Sequence, residues 1–163
     1  MIKDILKNEK GTFEITWFDS INFSRLEPIV QVYGVLFNDN GEMLIINTTG
    51  KWTLPGGGPK KGETFEETLR REVDEEGDAE IDGIIPLGYL KVVHFKDGKK
   101  ISTRYKLRFT GKIAKIKNQT VDPATGIVPK RKFVSLKEFP DYCFFGKTEK
   151  AIIEKAVQLF DSS

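Results

Sequence analysis

One stretch, Gly56 to Ala79, constrains this chain more than any other: GGGPKKGETFEETLRREVDEEGDA. Thr64-Phe65-Glu66-Glu67 has the form of a capping box, with Thr64 as N-cap, so a helix is expected from there to about Glu76, ending at Gly77. On that helix Glu72, Glu75 and Glu76 stand at i, i+3 and i+4 and share one face. Like charges so placed repel, so a cation has to hold them together. Arg71 reaches Glu75 at i+4, but one guanidinium cannot neutralise three carboxylates. Hard divalent ions take oxygen ligands, and Mg2+ is usually held by carboxylates together with substrate phosphates. A solvated acidic helix face would show the same three glutamates. The surroundings favour the metal site: Gly56-Gly57-Gly58 allow close backbone approach to a metal or phosphate, and Lys60 and Lys61 follow in the same loop.

The rest of the chain reads as a frame for that segment. Ile29 to Phe37 is an apolar run rich in β-branched residues, hence a buried strand. Asn38-Asp39-Asn40-Gly41 turns it into a second strand, Met43 to Ile46. The three glycines are expected to be loop. Long strands are expected at Ile84–Phe95 and Ile101–Ile113, joined through Asp97-Gly98. A loop over 118–129, a last strand at Arg131–Leu136 and an amphipathic helix from Gly146 to Phe160 complete the pattern. Residues 1–28 read as a poorly patterned extension in which Phe13, Ile15 and Trp17 alternate as in a short strand. The fold class is α/β, a mixed sheet with helices on both sides, in one domain over 1–163.

Composition sets outer bounds. The 26 Lys and Arg nearly balance 24 Asp and Glu, which gives no general argument for a nucleic-acid partner. Acids concentrate in 63–82, bases in 91–117 and 130–132, a distribution suited to a metal and a polyphosphate or to an ordinary mixed surface. No apolar stretch approaches the roughly 20 residues of a spanning helix. The charged N-terminus does not read as a signal peptide. A single cysteine, Cys143, excludes an internal disulfide and suits the cytoplasm.

The segment resembles the Nudix signature: Gly, five residues, Glu, seven residues, then Arg-Glu-apolar-x-Glu-Glu-x-Gly-apolar. Here Gly57, Glu63 and Arg71-Glu72-Val73-Asp74-Glu75-Glu76 match, so the Nudix box lies at residues 57–79 as a loop-helix-loop. Asp78 stands where the family has Gly, and Gly77 comes one position early. The expectation is a shifted cap, with Gly77 taking the left-handed conformation and Asp78 beginning the loop; the alternative is that Asp78 takes it. Strand and loop sequence around Trp52-Thr53-Leu54-Pro55-Gly56-Gly57 is also similar to the family, extending the likeness over about 29–113.

The resemblance implies hydrolysis of a nucleoside diphosphate linked to another group, with Mg2+ or Mn2+ as cofactor. It implies Glu72, Glu75, Glu76 and the Gly56 carbonyl as metal ligands, Arg71 orienting the glutamates, Glu63 bracing the loop, and Glu72 as the base. Some members add an acid from the loop before the last strand; Asp122 is the acid that loop offers, and the base is expected within the box instead. Lys130-Arg131-Lys132 reads either as a phosphate grip or as a solvated strand end. Trp52 and Tyr33 either stack on a base or pack in the core. Lys60 is a candidate to meet phosphate from the glycine loop; Arg104 and Lys106 alternate on one strand face and either meet phosphate or lie exposed. His94, the only histidine, and Cys143 read as packing residues. His94 also stands where ADP-ribose enzymes of the family tend to carry proline, and Phe95-Lys96-Asp97 where dinucleoside polyphosphate enzymes tend to carry tyrosine. A (deoxy)nucleoside triphosphate or simple nucleoside diphosphate derivative is left as the expected substrate, for a monomer or homodimer. The alternatives are a non-catalytic Nudix-fold nucleotide-binding module and an RNA-processing pyrophosphohydrolase.

Overall fold

Apolar runs in the middle of the chain become strands covered on both faces. In the computed structural model, which describes residues 1–162, β3 (Ile29–Phe37) and β4 (Met43–Asn47) follow β1 (Ile2–Asn8) and β2 (Gly11–Phe18). Successive side chains of a strand point to opposite faces. Val35, Phe37, Met43 and Ile45 accordingly enter one core, and Leu36, Leu44 and Ile46 the other. Two helices close these cores. Leu69 and Val73 of α1 (Phe65–Gly77) fill the second, and Ile152, Ile153 and Ala156 of α3 (Lys147–Asp161) fill the first.

The remaining elements are β5 (Trp52–Thr53), β6 (Gly56–Gly57), β7 (Ala79–Lys96), β8 (Lys99–Ile116), β9 (Lys130–Val134) and the single turn α2 (Phe139–Tyr142). The strands form one sheet in the order β1-β2-β7-β8-β3-β4-β5, with β6 against β3 and β9 against β4. β3 and β8 run parallel and the other pairs antiparallel, so the sheet is mixed with a helix on each face, as the sequence implied. The β7–β8 turn is at Asp97-Gly98, with φ of 51° and 76°, where positive φ favours such a pair.

Two expectations need correction. The glycine loop is not wholly irregular, because Gly56 and Gly57 bridge to Tyr33 and Val32 as β6. The segment 139–142 forms α2, which the sequence reading did not anticipate. The poorly patterned first 28 residues contribute to the sheet: the strand expected at Phe13, Ile15 and Trp17 is β2, which forms a hairpin with β1 and pairs along β7 from Thr12↔Phe95 to Phe18↔Tyr89. As an edge strand β1 exposes nearly every side chain, so no period of two marks it.

Asp4 is the half-buried residue of β1, and it has a reason to be. The N-cap position of α3 is Gly146, which has no side chain to accept the first amide protons. Asp4 supplies the acceptor from the far end of the chain: Oδ1 accepts from the Lys147 N–H at 3.0 Å, and Oδ2 from the Thr148 N–H at 2.8 Å and hydroxyl at 2.6 Å. A Cβ at Gly146 would overlap this carboxylate. Burial opposes the charge, but these donors outweigh it and hold the Asp4 carboxyl below its ordinary value.

Asp4→Ala should therefore cost about 1–2 kcal/mol, as loss of an N-cap does, lowering Tm by roughly 2–8 °C for a chain of this size. Because the folded-state pKa is depressed, the Asp4 contribution is full above the ordinary carboxylate pKa and is lost as pH falls through the lowered one. Melts from neutral to acid pH should show the gap between wild type and Asp4→Ala narrowing; a gap constant with pH would contradict the assignment.

Candidate active site on the α1 face

Helix α1 starts where the capping residues place it. Thr64 Oγ1 accepts from the Glu67 N–H at 3.1 Å, and Thr68, Leu69 and Val73 turn inward. The opposite face carries Arg71, Glu72, Glu75 and Glu76 toward β6, and Arg71 organises it. Its Nε donates to Glu63 Oε2 at 2.6 Å and its Nη2 to Glu63 Oε1 at 3.0 Å. Nη1 reaches Glu72 Oε1 at 2.8 Å and Glu75 Oε2 at 3.4 Å, while Nη2 also reaches the Gly58 carbonyl at 3.1 Å. Glu63 accepts further from the Lys60 N–H at 2.7 Å and the Thr68 hydroxyl at 3.1 Å. Arg71 first, then these donors, hold its carboxyl at about 2. Loop and helix are thus tied through one guanidinium and one carboxylate.

The glycines are needed for contact with the glutamates. Gly56 has φ 150°, its N–H donates to Glu76 Oε1 at 2.9 Å, and a Cβ there would overlap the Val32 carbonyl. A Cβ on Gly57 would overlap the Glu72 carboxylate. Glu76 is pushed up to about 8, first by burial and then by Glu72, Asp122 and Glu75, against the pull of the Gly56 N–H. Glu72 is raised for the same first reason, with Arg71 opposing and Glu75 and Asp122 adding.

Asp122 is thereby part of the site electrostatics. It is buried, at 3% exposure, in a turn where its Oδ1 accepts from the Ala124 N–H at 2.8 Å and its carbonyl from the Gly126 N–H at 2.8 Å. Its loop is docked by Asp78, whose Oδ2 accepts from the Thr120 N–H and whose Oδ1 from the Thr120 hydroxyl, both at 2.7 Å.

This overturns the shifted cap. Asp78 itself is left-handed, with φ 47° and ψ 48°, and its N–H donates to the Asp74 carbonyl at 3.1 Å. Gly77 stays helical and buried, facing Leu44 and Ile46. The basic triplet is corrected at Arg131, while Lys130 and Lys132 are exposed as a solvated strand end is. Arg131 is neither phosphate grip nor solvated end, since Nη1 donates to the Gly77 carbonyl at 2.8 Å and satisfies the helix C-terminus. Lys132 lies over the Tyr142 ring at 4.8 Å.

The chemistry of the donor set suits a divalent cation. Arg71, already engaged by Glu63, contacts Glu72 and Glu75, while Glu76 and Asp122 have no cation in contact with them among the described residues. Among the described residues no group of three His, Cys, Asp or Glu side chains is placed to hold a metal ion; Glu72 and Glu75 bond Arg71, and Glu76 the Gly56 N–H.

The other sequence-marked residues divide. Tyr33 and Trp52 line one cavity beside the glycine loop, whereas Lys60 and Arg104 are exposed and do not line it. Lys106 is partly buried and its pKa is lowered, first by burial. Arg108, next in the same alternation, was missed by the sequence reading and does line the cavity. A charged residue continuing that alternation into the apolar run around Leu107 and Phe109 was the available signal. His94 stacks on Phe13 at 4.3 Å and bonds the Lys10 carbonyl at 2.7 Å, a structural role. Burial pushes the Cys143 thiol to about 12, which suits packing.

The comparisons agree with this geometry. The family model described as NUDIX domain matches residues 27–153, and the chain belongs to the Nudix family, whose members include hydrolases of pyrophosphate bonds. The solved structures it resembles include a point mutant of the Bacillus subtilis pyrophosphohydrolase BsRppH, with TM-score 0.70, 18% identity and 98% of each chain covered. MutT, from a study of Aliivibrio salmonicida and Vibrio cholerae, aligns at TM-score 0.53 and 18% identity over 79% of this chain and 97% of that one. The NUDIX domain of Shewanella oneidensis NrtR, complexed with ADP ribose, aligns at 0.59 and 18% over 85% and 97%. Comparison with curated proteins gives no match.

The two cap substitutions should separate clearly in thermal melts. Gly77→Ala adds a methyl 3.3 and 3.4 Å from the Leu44 and Ile46 side chains and should cost less than about 1 kcal/mol, since Ala favours a helix. Asp78→Ala removes an acceptor of two charge-assisted bonds from a left-handed position and should cost about 2 kcal/mol or more. The reverse order would contradict the observed cap.

Proposed function

We propose that this chain is a divalent-metal-dependent hydrolase that cleaves a phosphoanhydride bond in a nucleoside diphosphate linked to another moiety. A (deoxy)nucleoside triphosphate or simple nucleoside diphosphate derivative is the preferred substrate, and the cytoplasm is the proposed site of action. The observation that carries this reading is the under-neutralised carboxylates of α1: Glu72 and Glu76 stand against the glycine strand β6, Glu75 shares Arg71 with Glu72, and Asp122 acts on the charge of Glu72 and Glu76.

Glu72, Glu75 and Glu76, with the Gly56 carbonyl, would hold Mg2+ or Mn2+. The ion would neutralise phosphate charge and polarise phosphorus, the main requirements of phosphoryl transfer. Arg71 and Glu63 keep the loop and helix in register. A water oxygen bonds to phosphorus, the bridging P–O bond breaks, and the water proton passes to a carboxylate. Glu72 is the proposed acceptor, and Asp122 is the other acid near enough to affect it. The attacked phosphoryl group keeps the water oxygen, and the leaving fragment carries the bridging oxygen away.

A second reading has its own support. The likeness to BsRppH runs over 98% of this chain and so includes the β1–β2 hairpin, outside the family match. That favours testing RNA 5′ ends as substrate. A purely binding module is disfavoured by the complete set of box glutamates. Among the described residues no helix is long and apolar enough to cross a membrane.

A panel of nucleoside triphosphates, nucleoside diphosphate derivatives and 5′-triphosphorylated RNA, with Mg2+ and Mn2+, should show release of phosphate or pyrophosphate. Glu76→Gln should lower that rate by about 100-fold or more while the protein stays folded. Undiminished hydrolysis in excess chelator would overturn the proposal.

A further inference from the structure

We propose that the cavity bounded by Tyr33, Trp52, Phe144, Arg108 and Glu149 is a nucleobase pocket selective for guanine. The proposal rests on the box being the phosphate site. The cavity measures about 130 Å3. That is below the roughly 300–1,000 Å3 of pockets that enclose whole drug-sized ligands, so it suits one flat ring system with the rest of the ligand outside.

Its walls supply both things a base needs. Aromatic faces come from Tyr33, from Trp52, braced edge-on by Tyr142 at 5.9 Å, and from Phe144, which is 55% exposed at a surface position. Stacking on such faces is favourable for any base and tolerant of its identity. Discrimination has to come from polar groups, and two in this cavity lack full partners. Arg108 is 5% exposed, stacked over the Tyr33 ring at 5.0 Å, with Nη1 bonded to the Leu107 carbonyl at 3.1 Å and the Gln31 side chain at 3.3 Å. Its buried Nε has no partner among the described residues. Glu149, in the first turn of α3, makes no hydrogen bond or ion pair with a described residue; burial raises its pKa, and Arg108 and Lys106 act against that rise.

A guanidinium and a carboxylate in one aromatic cavity define a pattern of donor and acceptor. Guanine presents adjacent N1–H and N2–H donors that a carboxylate accepts together, and O6 and N7 acceptors that a guanidinium satisfies. Adenine offers an acceptor at N1 and a donor at N6, which sets like against like at both groups. A site built around specific hydrogen bonds rejects an analogue that leaves its buried polar groups unpaired.

The cavity also adjoins the phosphate site. Tyr33 pairs with Gly56 in the sheet, and its hydroxyl responds to Glu76 and Glu72 as well as to Glu149. Thr53 and Leu54 line the cavity immediately before Pro55-Gly56. A base in the cavity therefore has its phosphates on the side of the box glutamates.

The test is equilibrium binding of GMP, AMP, CMP and UMP in chelator, by calorimetry, with wild type and Glu149→Gln. No hydrolysis or metal site contributes there, so the result is independent of whether the box is catalytic. GMP should bind about 10-fold or more tightly than the other three, and Glu149→Gln should erase that preference while leaving AMP affinity within about 2-fold. Equal affinity for the four by wild type would overturn the proposal, and that comparison needs no variant. Persistence of the preference in folded Glu149→Gln would overturn it as well. Competition between GMP and a 5′-hydroxyl RNA oligonucleotide beginning with G distinguishes the source of the base: tighter RNA binding assigns the pocket to an RNA end, and tighter GMP binding to a free nucleotide.

Discussion

The contact between Arg71 and Glu63 is the constraint on which the candidate site depends. Two nearly parallel N–H···O bonds at 2.6 and 3.0 Å join the helix to the loop before it. The same guanidinium then reaches Glu72, Glu75 and the Gly58 carbonyl. Bidentate pairing fixes orientation as well as supplying attraction. With Glu63 already compensating one unit of positive charge, little is left for the glutamates beyond it. Electrostatic strain in the α1 face and order in the glycine strand thus have one origin. The strain is what a divalent ion would relieve.

Around that contact the fold supplies two further clamps, both using acids in unusual places. Asp78 accepts the left-handed helix end because its carboxylate is engaged by Thr120, and this anchors the loop that carries buried Asp122. Asp4 compensates for a glycine N-cap on α3, the helix whose first turn carries Glu149. Each acid joins segments remote in sequence, and each leads to one side of the site. The sheet between them places the box on one face and α3 on the other.

Legibility in the sequence followed locality. The α1 helix was readable to within a residue because its cap, its apolar positions and its acids all lie within one segment. β3 and β4 were readable because burial on both faces makes them continuously apolar. The ends of β7 and β8 were not: β8 runs past its apolar stretch into exposed paired residues at both ends, and β7 starts early, at Ala79, where buried Ala79 and Ile81 alternate with exposed Glu80 and Asp82 in too short a stretch to mark a strand. β1 left no pattern because an edge strand exposed on both faces needs none. In the site, the box residues were legible and their partners were not. Arg131 as a helix cap, Asp122 near Glu72, and Arg108 opposite Glu149 are all set by tertiary contacts. The cap at Asp78 went against glycine preference because a distant threonine compensates for the backbone conformation.

The central claim is that the α1 carboxylates form an incomplete site that a divalent cation completes. Titration of Mn2+ into the protein, with free Mn2+ read by its paramagnetic resonance signal, tests this without any substrate. The account predicts that the protein removes Mn2+ from the free pool, and that the folded double variant Glu72→Gln/Glu76→Gln loses most of this binding. Equal Mn2+ binding by the double variant, or none by the wild type, would contradict it.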